Sequence, residues 1–240
     1  MNRKARLTTI LSRDRHGHGA TLLFDLDGTL VDSAPDICLC VNDVMDYYGF
    51  PFVSEEYVRS WAGQGTSFLL RKLLNEYESI RQGIILKKDF TDAYNLFLSS
   101  YRENNGRFAS LYPGVRESLV TLNDRDFALG VVTNRPAEFT GSIVAQLGLD
   151  DLVDVIVCAD EFGSYKPDPG MLLHAIGELG GAPELSVMTG DSLSDVMAAK
   201  NARIMSVYAR YGYRSNVDTC ELYADRTIDS LVELVYKMGA

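Results

Sequence analysis

Five short apolar runs, Thr21–Phe24, Phe127–Thr133, Val153–Cys158, Leu185–Thr189 and Arg203–Tyr208, alternate with segments of helical period. That alternation marks βα units wound about a sheet, so the spacing predicts an α/β fold with a doubly wound parallel sheet. Pro136 suits the first turn of a helix carrying Phe139, Ile143, Val144 and Leu147. Pro169 does the same for Met171, Leu172, Ala175, Ile176 and Leu179. Between the first run and the second lie about a hundred residues, far more than one crossover helix needs. Three apolar stripes fill that gap: Ile37, Val41, Val44, Met45 and Tyr48; Phe68, Leu69, Leu73 and Tyr77; and Phe90, Tyr94, Phe97, Leu98 and Tyr101. Ser33 is placed to cap the first of these helices and Gly49 stands past its end. The expected organisation is a core of residues 21–33 and 111–240, interrupted by a helical cap domain over residues 34–110. Residues 1–20 read as a basic, poorly ordered tail.

Chemistry concentrates where the first run ends, in Phe24-Asp25-Leu26-Asp27-Gly28-Thr29. In extended backbone, residues i and i+2 point to one side, so Asp25 and Asp27 are expected to crowd the carboxyl end of a parallel strand. Like charges that close raise a pKa unless a cation neutralises them, and a hard divalent ion such as Mg²⁺ suits oxygen ligands. A plain Asp-Gly surface turn is the competing reading. A calcium loop is not, because Gly28 falls fourth where an EF-hand needs glycine sixth.

Three later segments also follow strands. Thr133-Asn134-Arg135-Pro136 offers a hydroxyl, a backbone amide and a helix N-terminus, an anion site unless the threonine or asparagine is only a cap. Lys166, between Tyr165 and Pro167, can neutralise a phosphate and a carboxylate if it is not merely a surface lysine. Asp191 and Asp195 stand one helical turn apart and can both face a metal, or else cap a helix and favour its dipole.

These four segments, in this order, resemble the haloacid dehalogenase superfamily, whose pattern is an Asp-x-Asp-x-Thr strand end, a Thr or Ser strand end, a lysine and an acidic pair. Similarity to its bacterial phosphoglycolate phosphatase family rests on residues 24–36, Trp61-Ala62-Gly63-Gln64-Gly65 and Tyr112-Pro113-Gly114-Val115. It continues in Gly190-Asp191-Ser192, Ala198-Ala199-Lys200 and Tyr211-Gly212-Tyr213. The resemblance implies a Rossmann-like core with a helical cap, and an Mg²⁺-dependent phosphatase acting through an aspartyl phosphate. Its expected partner is a small phosphorylated metabolite, 2-phosphoglycolate first. By motif position Asp25 would be the nucleophile, and Asp27 the general acid and then base, binding metal through its carbonyl. Asp191 would be a direct metal ligand and Asp195 a nearby support. Thr133 and the Asn134 amide would hold phosphate oxygens, with Lys166 countering charge. Gly63, Gln64 and Gly65 read either as the substrate-facing loop of the cap or as a plain helix–helix turn.

Other small sugar phosphates, a phosphosugar mutase and a phospho-accepting signalling domain share parts of the pattern. A dehalogenase lacks the second carboxylate, so Asp27 and Asp191 argue against it. A formal net charge of −10 argues against nucleic acid or an anionic membrane as the main partner. Cys38, Cys40, Cys158 and Cys220 match no zinc spacing, and His16, His18 and His174 build no Ser-His-Asp triad. A cytoplasmic protein with reduced thiols, monomeric or homodimeric, is expected.

Overall fold

The computed structural model describes residues 20–81, 87–213 and 217–237. The tail expected over residues 1–20 lies outside them, apart from Ala20. The chain enters through β1 (Thr21–Phe24), turns, and forms β2 (Val31–Asp32). Four helices follow: α1 (Ala34–Tyr47), α2 (Glu55–Ala62), α3 (Thr66–Arg81) and α4 (Lys87–Asn104). Next, β3 (Ser110–Leu111) pairs antiparallel with β2. The rest alternates: α5 (Val115–Asn123), β4 (Ala128–Thr133), α6 (Ala137–Gln146), β5 (Val155–Cys158), the one-turn α7 (Ala159–Phe162), α8 (Gly170–Glu178) and β6 (Ser186–Gly190). It ends with α9 (Leu193–Asn201), β7 (Met205–Ala209), α10 (Val217–Tyr223), β8 (Arg226–Ile228) and α11 (Leu231–Lys237).

The six-stranded sheet runs β5-β4-β1-β6-β7-β8, and every pairing in it is parallel. This is the doubly wound order with β1 where the winding reverses, so a crevice opens beyond the carboxyl ends of β1 and its neighbours. Side chains alternate across β1. Leu22 and Phe24 join the core that Leu119, Ile143 and Leu231 build on one face, while Leu23 joins Met171, Leu172 and Ala199 on the other. Phe127 and Val153, expected inside strands, pack on the core from the turns just before them. The short β2, β3 and β8 had no periodic signal long enough to read.

Helices α1–α4 share an apolar core of their own, with Ile37, Val41, Val44, Leu69, Leu73 and Phe97 buried in it. On α3 the buried face is Leu69, Leu70, Leu73 and Leu74, whereas Phe68 is 43% exposed and leans toward Trp61, the ring centroids 6.3 Å apart. Phe68 therefore does not belong to the inward stripe expected of it. Phe139 of α6 and Tyr213 also enter this core, so the helices are seated on the sheet rather than merely tethered to it. Both crossings between sheet and helices meet at one buried carboxylate. Asp36, in the first turn of α1, accepts from the backbone N–H of Gly106 at 2.8 Å and of Phe108 at 2.7 Å. Among the described residues no helix is long and apolar enough to cross a membrane, and all four cysteines are free thiols.

Candidate active site

Two strand ends, and the helix that follows the second, deliver the acidic residues. Asp25 leaves β1, its N–H bonded to the Thr189 carbonyl of β6 at 2.9 Å, and Asp191 follows β6 directly. Asp195 sits at the third position of α9, where it accepts from the Ser192 N–H at 3.0 Å and the Ser192 hydroxyl at 2.5 Å. These two bonds from the residue that caps α9 fix its carboxylate. Asp25, Asp191 and Asp195 each present an oxygen within 4.8 Å of the others. Lys166 reaches between them, its Nζ 2.8 Å from Asp25 and 2.7 Å from Asp195, and donates to the Val132 carbonyl at 2.8 Å.

The electrostatics follow from burial. Desolvation, then the charge of Asp195, pushes the Asp25 carboxyl up to about 7 even though Lys166 pulls it back. Asp27 raises it less than either. The crowding expected between Asp25 and Asp27 is therefore supplied mainly by Asp195, which the fold brings in from the helix that follows β6. Asp191 is also held well above its usual range, by burial first and then by Asp25 and Asp195. Burial opposes the charge on Lys166, yet Asp195 and Asp25 together keep it above its ordinary value. Two buried carboxylates and one part-buried one facing a single ammonium carry, when ionised, an excess of negative charge. An all-oxygen donor set with that excess fits a hard divalent cation.

A close-packed turn holds the cluster. Gly28 has φ +85°, and a Cβ there would lie 2.3 Å from an Asp191 oxygen. A Cβ on Gly212 would lie 2.1 Å from the Gly28 carbonyl. Only glycine permits this approach at either position. The same loop gives the Tyr213 N–H to Asp191 at 2.7 Å and the Tyr211 hydroxyl to the Thr29 carbonyl at 2.9 Å.

Asp27 stands apart from the three-carboxylate cluster. Its Oδ1 accepts from the Ser33 hydroxyl at 2.5 Å and from Arg135 Nη1 at 2.6 Å. Ser33 thus makes no side-chain cap for α1, because its hydroxyl turns to Asp27 and to the Tyr213 hydroxyl, 2.8 Å away. Arg135, Ser33 and Tyr213 were not expected as site residues.

A cleft with about 590 Å³ of atom-free space, continuous with solvent, opens beside these groups. Asp25, Asp27, Thr133, Asn134, Arg135 and Lys166 line its sheet side, and Gly63, Gly65, Thr66, Phe97 and Tyr101 its helical side. Gln64 is not among the lining residues. Thr133 Oγ accepts the Arg135 N–H at 3.1 Å, which leaves its own hydroxyl proton to donate. The Asn134 side chain brackets the Lys166 backbone, accepting its N–H at 2.8 Å and donating to its carbonyl at 3.2 Å.

The raised Asp25 carboxyl makes stability pH-dependent in metal-free buffer. Folded Asp25 holds its proton up to about 7, whereas its ordinary value is 3.8. The stability carried by that proton is complete below 3.8 and is lost as pH rises through about 7. Urea unfolding in EDTA should show the parent losing stability relative to Asp25→Asn across this window, by about 1.4 kcal/mol per pKa unit. A pH-independent difference would refute the buried-charge account.

A family model described as haloacid dehalogenase-like hydrolase matches residues 22–209. The phosphoglycolate phosphatase of Nitrosococcus oceani is 38% identical over 214 residues, 89% of this chain and 93% of the relative. A plasmid-encoded phosphoglycolate phosphatase of Cupriavidus necator is 36% identical over 213 residues, 89% of this chain and 90% of the relative. Among solved structures, a predicted phosphoglycolate phosphatase from Haemophilus somnus superposes with a TM-score of 0.84 at 29% identity. That alignment covers 90% of this chain and 96% of the other.

Proposed function

The chain belongs to the haloacid dehalogenase-like hydrolase family and is a phosphoric monoester hydrolase; we propose that it hydrolyses 2-phosphoglycolate to glycolate and inorganic phosphate through an aspartyl phosphate on Asp25. The observation that carries this reading is the position of the Asp25 carboxylate. It faces the cleft at the end of the central strand, paired with Lys166 and beside Thr133. The name shared by the relatives supports the substrate.

In the first half-reaction an oxygen of Asp25 bonds to phosphorus as the phosphorus–oxygen bond to glycolate breaks. The electron pair goes to the glycolate oxygen, which takes a proton from Asp27. In the second half, Asp27 removes a proton from water, the water oxygen bonds to phosphorus, and Asp25 leaves as a carboxylate. Lys166 offsets charge on the phosphoryl oxygens, and the Thr133 hydroxyl and Asn134 amide donate to them. Asp25, Asp191 and Asp195, with the Asp27 carbonyl, would hold Mg²⁺, which when bound neutralises the phosphoryl group and keeps Asp25 ionised. Residues 34–110 act as a cap whose Gly63 and Gly65 meet the substrate and whose seating excludes bulk water.

A panel of phosphate esters assayed for phosphate release with Mg²⁺ and with EDTA tests both substrate and cofactor. The expected outcome is the highest kcat/KM on 2-phosphoglycolate, and at least about a hundredfold loss in EDTA, the scale of several kcal/mol of charge stabilisation. A sugar phosphate turned over faster than phosphoglycolate would overturn the substrate. Undiminished rates in EDTA would overturn the metal.

A further inference from the structure

Both hydrogen bonds to the Asp27 carboxylate fall on Oδ1, one from Ser33 and one from Arg135. Among the described residues none reaches Oδ2, and Asp27 lines the cleft. The two donors therefore fix the rotation of the carboxylate and leave one defined oxygen to face the reacting atoms. Arg135 is 5% exposed and is itself held from the helical side. Its Nη2 donates to Asn105 Oδ1, and its guanidinium lies 5.0 Å from the centroid of the Tyr101 ring of α4. Asn105 is anchored in turn, donating to the Phe139 carbonyl at 3.0 Å and the Ser142 hydroxyl at 2.8 Å. A fixed cation is thus strung between the end of α4 and the carboxylate that would serve as acid and base.

We infer that Arg135 is a positioning residue: it selects which oxygen of Asp27 carries the transferable proton, and it ties that orientation to the seating of α4. The inference rests on the role proposed for Asp27. Arg135 contacts neither phosphorus nor the leaving oxygen in this account. The Asp25 oxygen bonds to phosphorus, the leaving oxygen takes the electron pair, and the proton comes from Asp27 Oδ2. If α4 lifts, Tyr101 leaves the guanidinium and Asn105 is drawn off its bonds to Phe139 and Ser142 of α6, and Asp27 loses its fixed rotation before the leaving group can be protonated. Premature proton transfer in an open site is thereby avoided.

Leaving-group dependence separates this role from a structural one. An alkoxide such as that of glycolate needs a proton to depart, whereas p-nitrophenolate departs as a stable anion. Release of the alcohol in the first turnover should be measured with 2-phosphoglycolate and with p-nitrophenyl phosphate, for the parent, Arg135→Gln, Arg135→Lys, Asn105→Ala and Asp27→Asn. For Arg135→Gln the expected result is a loss of about a hundredfold on phosphoglycolate, the lower end of what a positioned acid supplies. The loss on the aryl ester should stay within about fivefold, since little acid assistance is needed there. KM should hold and Arg135→Lys should recover part of the rate. Asn105→Ala should show the same split at smaller size, which keeps the test open if Arg135→Gln folds poorly. Equal losses on both esters in Arg135→Gln and Asn105→Ala, or no loss in either, would overturn the inference. So would a defect confined to KM for carboxylate-bearing esters, which would make Arg135 a substrate contact. Asp27→Asn tests the reading underneath: if that variant shows no alkyl–aryl split, the acid assignment itself fails whatever Arg135 does.

Discussion

Asp25→Asn should abolish steady-state phosphate release, lowering kcat by about 10⁴-fold or more, in line with the removal of a nucleophile. The argument is geometric before it is chemical. The Asp25 carboxylate is fixed by the Leu26 N–H at 2.8 Å and by Lys166 at 2.8 Å, with its side chain only 13% exposed. An asparagine fills the same volume and can still accept the Leu26 N–H, so the fold should persist. The metal-free variant should in fact be the more stable above neutral pH, because it carries one fewer buried charge. What it lacks is a nucleophilic oxygen able to bond phosphorus and leave again as a carboxylate. Acid-quenched parent enzyme, sampled in mid-turnover, should carry acyl phosphate that hydroxylamine discharges, and Asp25→Asn should carry none. Phosphate release by Asp25→Asn at a rate comparable to the parent would end the covalent mechanism.

Lys166→Met should damage activity and stability together. Its ammonium is the cation that both Asp25 and Asp195 contact, and the residue is 4% exposed. Leaving two buried carboxylates without it should cost about 3–5 kcal/mol in EDTA at neutral pH, the usual penalty when one member of a buried ionic set is removed. Saturating Mg²⁺ should restore much of that stability, since a bound cation replaces the missing charge, but it should not restore the rate. The expected kcat is about 10²- to 10³-fold below the parent, the scale of losing one pre-placed electrostatic group. As Asp25 takes up its proton below about 7, the stability loss should shrink, because that proton does part of what the ammonium did. Urea titrations at acid and neutral pH, each with Mg²⁺ and with EDTA, check all of this at once. A loss that is the same in all four conditions would mean that Lys166 contributes packing rather than charge.

Much of this site could be read in advance because its parts sit where strands end. Asp25, Thr133, Lys166 and Asp191 each follow an apolar run, and a parallel sheet brings such ends to one edge whatever its loops do. Residues that act across long separations were invisible. Arg135 meets Asp27 over 108 positions and Tyr213 meets Ser33 over 180, and no local period records either contact. Ser33 shows the opposite failure: a good cap by local preference, it is drawn away by a carboxylate that only the fold supplies. The balance of charges is likewise set by the fold: Asp27, near Asp25 in sequence, raises its carboxyl as expected, but less than burial and the distant Asp195 do. On α3 the apolar face was misplaced by Phe68, whose ring belongs to a surface contact with Trp61. Strands of two or three residues, such as β2, β3 and β8, are too short to show alternation at all.

The carboxylate of Asp36 has a consequence for anyone who would rebuild this protein. Because it grips Gly106 and Phe108 from the start of α1, the outgoing and returning chains are fastened to each other before they part. The natural seams for exchanging the helical segment between relatives therefore lie outside this clasp, in the β2–β3 pair, where the two strands already run side by side. A graft cut there would carry its own buckle. One cut inside it would strand a buried acid opposite unfamiliar backbone, and should yield chimeras that fold on the sheet side and drift on the other.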